Sequence, residues 1–272
     1  MDYKLPERKE NSNKSTYGRV LNIAGSDYMP GAAYLSSVSA LKIGCGYCFL
    51  CSSERVINAV SSQTQNIVFA PYKNLKNLIR EADVIEIGCG LSQSLRAKKL
   101  FNDFLRYTDP EKPVIIDADG LNILAKNYKK FIKKGFKKVI LTPHPKEAAR
   151  LLYVDSVVEN IEKAAQSISE KYNCVTVLKN YRTVIATKDK ITTNFTGNNS
   201  MAKAGSGDVL TGMISGLVAQ GMDLFKAAVL GVYLHGKCGD IAKEKLTEYS
   251  VMAEDLISCI PEAIKNYSNI YQ

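Results

Sequence analysis

Four residues in the last third of the chain, Gly205-Ser206-Gly207-Asp208, have the types needed to handle a phosphate. An apolar periodic run, Val209, Leu210, Met213, Ile214, Leu217 and Val218, begins at once behind them, and its offsets of one, three and four mark an amphipathic helix. The four residues therefore sit on a helix N-terminus, where unpaired backbone N–H groups and the positive end of the helix dipole attract anions. Gly205 and Gly207 lack a Cβ, so a phosphate can approach the main chain, and with Ser206 they form an anion hole. Asp208 is out of place in that setting, because its carboxylate repels what the amides attract. Its chemical use would be as a base, taking a proton from a hydroxyl about to attack phosphorus. The competing reading is a plain helix cap, since Asp and Ser favour that position for stability alone.

Five further clusters carry candidate groups. Gly25 to Ala33 is a loop with two glycines feeding a helix whose first small residues, Ala32 and Ala33, leave room for a ligand. Gly88-Cys89-Gly90-Leu91-Ser92 places unhindered amides after a buried strand. In Asp117-Ala118-Asp119-Gly120-Leu121-Asn122 two carboxylates stand two apart on what reads as an extended segment, hence on one side, with the Asn122 amide in reach of a magnesium–water shell or a ribose; an Asx-turn entering a helix explains the same residues. His144, in Thr142-Pro143-His144-Pro145-Lys146-Glu147, is held by flanking prolines and reads as a displayed functional imidazole, whereas His235, on an apolar helix, reads as structural. Lys179-Asn180-Tyr181-Arg182-Thr183 links two strands and can frame an adenosine phosphate, or be a charged turn.

The elements that must position these groups alternate. Strands are expected at 19–24, 47–51, 66–70, 83–87, 113–116, 138–141 and 174–178, with a hairpin at 183–187 and 190–194. Helices are expected at 32–43, 54–60, 74–81, 94–107, briefly after Gly120, at 145–152 and 157–172, and through the C-terminal third as the Asp208 helix, 224–244 and 253–266. That alternation predicts an α/β fold with a largely parallel sheet covered on both faces, and every polar cluster falls at a strand's C-terminal end, where such sheets bind ligands. No linker or repeat interrupts the pattern, so a single domain over residues 1–272 is expected.

At 272 residues and 46% hydrophobic content the chain can bury a large core. No apolar run reaches membrane-spanning length and the N-terminus is too polar for a signal peptide, so a cytoplasmic protein without a membrane partner is expected. The seven cysteines suit reduced thiols. Cys45, Cys48 and Cys51 spell C-x-x-C-x-x-C, but strand alternation is expected to send Cys45 and Cys48 to opposite faces, and no fourth ligand follows. Of the net charge of +9, seven lysines between Lys126 and Lys138 account for all but +2, which reads as a solvated patch and not a nucleic-acid surface.

The motifs GSDYMPGAA, GCGLS, DADGLN, TPHPKE, LKNYRT and MAKAGSGDVLTGMISGLVAQG, in this order and spacing, resemble those of the NAD(P)H-hydrate dehydratase family, from about Tyr17 to Ile260. The resemblance implies a ribokinase-like three-layer α/β/α sandwich and the repair of NADH and NADPH hydrated on the nicotinamide ring. It implies ADP, converted to AMP and phosphate, or ATP as co-substrate, with Mg²⁺, in a stand-alone dehydratase that forms a homo-oligomer such as a tetramer. By that resemblance Ala32, Gly90, His144 and Asp208, together with the nearby Asp119 and Asn122, contact the hydrated dinucleotide, and Lys179, Asn180, Tyr181, Arg182, Thr183 and Gly207 contact the adenine nucleotide. The chain departs from the family's usual GPGLG, LKG and MATGGSGD at Cys89, Ser92, Asn180, Lys203 and Ala204. A kinase of the same fold acting on a vitamin-precursor alcohol is the alternative within enzymes. A non-catalytic nucleotide or nucleic-acid binder using the lysine patch is the alternative outside them.

Overall fold

The computed structural model describes residues 3 to 271. Nine strands form one sheet in the order β3-β2-β1-β4-β5-β6-β7-β8-β9. The central strands are β1 (Arg19–Ile23), β2 (Tyr47–Ser52), β3 (Val68–Pro71), β4 (Val84–Ile87), β5 (Val114–Ile116), β6 (Val139–Leu141) and β7 (Val175–Leu178), all mutually parallel. The antiparallel β8 (Val184–Ala186) and β9 (Ile191–Thr193) complete it as the expected hairpin. The chain runs outward through β2 and β3, then returns to pair β4 with the other side of β1. Such a reversal opens a crevice beyond the strands' C-terminal ends.

Strand alternation divides the core. Leu21, Ile23, Ile85, Ile87, Val114 and Ile116 face one way, into a layer made by α3 (Leu75–Glu81), α4 (Leu95–Tyr107), α5 (Ala118–Lys126), α6 (Tyr128–Lys134), α7 (Pro145–Leu152) and α8 (Ile161–Tyr172). Val20, Val84, Ile115, Ile140 and Val177 face the other, against α1 (Pro30–Lys42), α9 (Ser206–Ala219), α10 (Leu224–Lys245) and α11 (Ala253–Tyr271). The short α2 (Glu54–Ser61) closes the β2 side with Val56 and Val60. This is the three-layer α/β/α sandwich.

Local chemistry explains the helices. In α4 the Ser94 hydroxyl caps Ala97 N at 3.2 Å, and Ala97, Leu100, Phe101, Phe104 and Leu105 form its buried stripe. Burial of each phenylalanine stabilises the fold by about 1.5–3 kcal/mol. Asp223 caps α10 through Phe225 N and Lys226 N.

Several expectations need correction. The helix expected after Gly120 starts before it: Asp117 caps α5, and Gly120 lies inside because a Cβ there would meet the Ile87 carbonyl at 2.7 Å. Asp117 and Asp119 thus stand on a helix start, as the alternative of an Asx-turn entering a helix has it, and not on an extended segment, so they diverge. The lysine stretch contains α6, which the charges concealed; Phe131 and Phe136 are buried while most of its lysines are exposed. Cys45 and Cys48 do not oppose one another. Cys45 precedes β2 and shares a core cluster with Cys48, and Cys51 faces the other layer. All seven thiols are free and buried. No helix of the described residues is long and apolar enough to cross a membrane.

Candidate functional site

The glycine-rich loops meet where the sheet reverses. Gly25 donates its N–H to the Cys89 carbonyl at 2.8 Å, tying the β1 and β4 loops together. Gly90, at φ 62°, has no space for a side chain: a Cβ would lie 2.7 Å from Ala32 Cβ and 2.8 Å from the Met29 carbonyl. Ala32 and Gly90 are therefore neighbours, as two residues framing one ligand must be.

Asp117 is the hub below them. It is 1% exposed. Its Oδ1 accepts from Lys179 Nζ at 2.6 Å and from Ala118 N at 2.7 Å, and its Oδ2 accepts from the Thr211 hydroxyl at 2.6 Å. Thr211 lies one turn after Gly207 and also donates to the Gly207 carbonyl at 3.1 Å, so the hub fixes the start of α9. Burial works to discharge the Lys179 ammonium, but Asp117 and then Glu147 outweigh it and hold the group above the ordinary lysine value. A Cβ on Gly207 would stand 3.4 Å from that ammonium. The first turn of α9 thus faces a permanent cation.

Helix α9 begins at a left-handed Gly205 with no side chain capping it. Asp208 lies in this first turn, and burial, then the nearby Asp117, push its carboxyl up to about 6, with the Cys89 thiol and Lys179 opposing. A base that is ionised just below neutrality suits proton removal from an alcohol.

His144 caps α7. Its Nδ1 accepts from Lys146 N at 3.1 Å and Glu147 N at 3.3 Å, and Glu147 returns a carboxylate oxygen to His144 N at 2.8 Å. Nδ1 is then the acceptor, so the proton sits on Nε2, 3.5 Å from Glu147 Oε1. Burial and then Lys179 hold the ring below the usual histidine range, so it is a neutral donor at pH 7. Burial pushes Glu147 up to about 7, against Lys179.

A cavity of about 910 Å³ opens over this edge, lined by His144, Lys179, Asn180, Tyr181, Arg182, Thr183, Ser206 and Gly207 among others. Six residues expected to hold an adenine nucleotide thus share one wall. Asn180 folds its turn by accepting Tyr181 N at 2.9 Å, and Arg182 lies over the Phe195 ring at 5.0 Å and donates to the Phe195 carbonyl. A second hollow of about 410 Å³ lies beside it, touching Gly31, Tyr34, Lys203 and Ala204. Lys203 turns its ammonium to the Tyr249 carbonyl at 2.5 Å.

Asp119 and Asn122 stand apart from both hollows, and Ala32, Gly90 and Asp208 are not among the residues that line them. Asp119 accepts Ser92 N at 2.8 Å and the Asn122 amide at 3.4 Å, and Asn122 accepts from Arg150 at 2.9 Å. They brace the turn after Gly90, with Ser92 at φ 67°. Thr211, which does not line the large cavity, and the loop residues Asn194 and Thr196, which do, escaped sequence reading. Thr211 had one signal: it follows Asp208 by three positions on a helix, which puts both on neighbouring faces.

Among the described residues no group of three or more His, Cys, Asp or Glu is arranged to hold a metal ion. A magnesium ion fits this edge as a passenger on nucleotide phosphates, since Asp117 already has both oxygens hydrogen-bonded, and Glu147 remains as the carboxylate beside Lys179.

The comparisons agree with this geometry. The family model described as NAD(P)H-hydrate dehydratase matches residues 20–262. An ADP-dependent (S)-NAD(P)H-hydrate dehydratase of Neisseria meningitidis is 37% identical over 87% of this chain and 81% of its own length. A bifunctional NAD(P)H-hydrate repair enzyme of Moorella thermoacetica is 36% identical over 96% of this chain, which spans 52% of that protein, about half its length. The Bacillus subtilis ADP/ATP-dependent NAD(P)H-hydrate dehydratase, crystallised with ATP and Mg²⁺, superposes with a TM-score of 0.82 at 32% identity, covering 97% of this chain and 94% of its own. A ribokinase-like superfamily protein of Enterococcus faecalis, 26% identical, gives a TM-score of 0.88 over 97% of this chain and 92% of its own. With the match running through every loop of the site, the chain belongs to the NAD(P)H-hydrate dehydratase family.

Proposed function

We propose that the chain restores NADH and NADPH from their ring-hydrated forms, using ADP, or ATP in its place, as the phosphoryl donor. The observation that carries this reading is the placement of Asp208 in the opening turn of α9, between the Cys89 thiol and the Lys179–Asp117 pair. Asp208 takes the proton of the ring hydroxyl as that oxygen attacks the terminal phosphorus of the nucleotide. The backbone of Gly205, Ser206 and Gly207 and the Lys179 ammonium hold the transferring phosphoryl group. The ring nitrogen's lone pair then expels phosphate to leave an iminium, and loss of a proton from the neighbouring ring carbon to the departing phosphate re-forms the ring double bond. Magnesium carried by the nucleotide neutralises phosphate charge.

Lys179, Asn180, Tyr181, Arg182, Thr183 and Gly207 bind the adenine nucleotide. Ala32, Gly90 and the Nε2–H of His144 bind the hydrated dinucleotide. Asp119 and Asn122 serve that same ligand by holding the Ser92 turn beside Gly90. The family resemblance supports the rest of the proposal, a homo-oligomer acting in the cytoplasm as one domain.

The test is turnover of hydrated NADH with ADP, followed by the absorbance of the restored dihydronicotinamide. Wild type should turn over, with an acid limb in kcat near pH 6 as Asp208 protonates. Asp208→Asn should lower kcat by about 10²–10⁴-fold with ADP still bound. Full activity in that variant would sink the reading, and phosphorylation of a vitamin-precursor alcohol without dehydration would point to the kinase alternative.

A further inference from the structure

One layer beneath the glycine loops, the sheet presents polar side chains to α1 and α9 where apolar ones are expected. Asn22 on β1 and Glu86 on β4 are register partners, so they stand side by side about 5 Å apart on one face. Both are fully buried. Asn22 uses its amide nitrogen twice, on Ser36 Oγ at 2.7 Å and Ser37 Oγ at 2.9 Å, while its Oδ1 has no partner. Glu86 receives the Cys89 thiol on Oε1 at 3.7 Å, while its Oε2 has no partner. The Ser215 hydroxyl on α9, beside Glu86, is likewise without a hydrogen bond of ordinary geometry.

These orphans solve one another if Glu86 carries a proton. An ionised Glu86 would set two unpaired acceptor oxygens together, with the Ser215 hydroxyl the free donor beside them, since the nearby Ser36 hydroxyl already donates to the Ala32 carbonyl at 2.9 Å. A carboxylic acid converts one of those oxygens into a donor, and Asn22, Glu86 and Ser215 can then all be satisfied. The consequence reaches the site through Cys89. Its thiol has a single hydrogen, which the geometry directs to Glu86 Oε1 at 3.7 Å, and the Asp208 carboxylate is near enough to compete for it. A neutral Glu86 competes poorly for that hydrogen and a charged Asp208 competes well.

We propose that Glu86 is a positioning residue: kept neutral inside the sheet, it leaves the Cys89 thiol hydrogen to Asp208 and so holds that carboxylate as an oriented anion at the start of α9. The proposal concerns turnover only insofar as the dehydratase reading holds. The titratable groups that face Glu86 are Asp117 from the start of α5, Asp208 from α9, Cys89 from the loop after β4, and Cys45 and Cys48 from β2 and its approach. Helix α1 offers only hydroxyls there, and Lys179 is bonded to Asp117. No facing group is a cation, so only the Ser215 and Ser36 hydroxyls favour the ionised acid. Burial pushes Glu86 up to about 8, with the Ser215 hydroxyl opposing and Asp117 and Asp208 adding. Above that pH the thiol turns back to Glu86, and Asp208 loses a donor and gains a negative neighbour.

Two measurements on the full chain test this with Glu86→Gln, which is neutral at every pH. In the turnover assay, wild-type kcat should fall as pH rises through about 8, and the variant's alkaline limb should move up by at least one pH unit. Cys89→Ala, which cuts the link, should remove the same limb. An alkaline limb that stays in place in both variants overturns the proposal. The second measurement is Tm against pH. Between the ordinary value of 4.5 and about 8 the folded chain holds a proton on Glu86 that the unfolded chain has released, so stability falls as pH rises through that window. Wild type should therefore lose Tm relative to Glu86→Gln by several degrees across it. A difference that does not change with pH overturns the proposal. If wild type shows no dehydration at all, the dehydratase reading fails by itself and the Tm series decides whether Glu86 is the buried neutral acid.

Discussion

Asp117 and Glu86 belong to neighbouring strands, the first at the end of β5 and the second within β4, and solvent reaches neither. Three donors converge on Asp117, the Lys179 ammonium, the Thr211 hydroxyl and the Ala118 N–H. Glu86 meets a thiol, a serine and an amide whose oxygen is unpaired. A buried carboxyl is stabilised either by partners or by its own proton. Here the paired acid shapes the nucleotide side of Asp208 and the unpaired acid lies behind it.

The pair can be broken from its strong side first. Lys179→Met leaves Asp117 buried without its cation, and a loss of about 3–5 kcal/mol in unfolding free energy is expected, together with a fall in ADP affinity of at least tenfold by calorimetry. A variant as stable as wild type would show that Thr211 and Ala118 N suffice to hold the charge. Thr211→Val removes one hydrogen bond to a charged oxygen while keeping the volume. It should cost about 1.5–3 kcal/mol by denaturant unfolding and move the start of α9, which KM for the nucleotide would register. Lys203→Ala marks the lower bound. That ammonium rests on a carbonyl at an exposed position, so stability should change by less than about 0.5 kcal/mol, and a larger change would mean that it helps to hold phosphate.

Much of this was legible beforehand. The alternating apolar runs gave the parallel sheet, and the helix caps Ser94 and Asp223 are ordinary local signals. GSGD was readable as a helix start because the apolar period begins directly behind it. Position along the chain hid the rest. Lys179 meets Asp117 across 62 residues and Thr211 meets it across 94, so no spacing rule joins them. The Asp117–Asn122 stretch fits both a strand end and an Asx-turn entering a helix, and strand parity fails past Ile116 because α5 has already begun. Helix α6 is concealed in the sequence because its run of lysines outweighs the single buried Phe131. Glu86 was read only as part of a strand, since an acid in a buried parallel strand has no sequence pattern to announce it.

Gly205 opens α9 in a left-handed turn, and no side chain closes that end of the helix. A helix left unlidded completes its bonding only when cargo arrives, so occupancy and folding are thermodynamically linked. The protein should consequently melt higher with nucleotide aboard than without it, and cells low in adenine nucleotide would carry the less durable form.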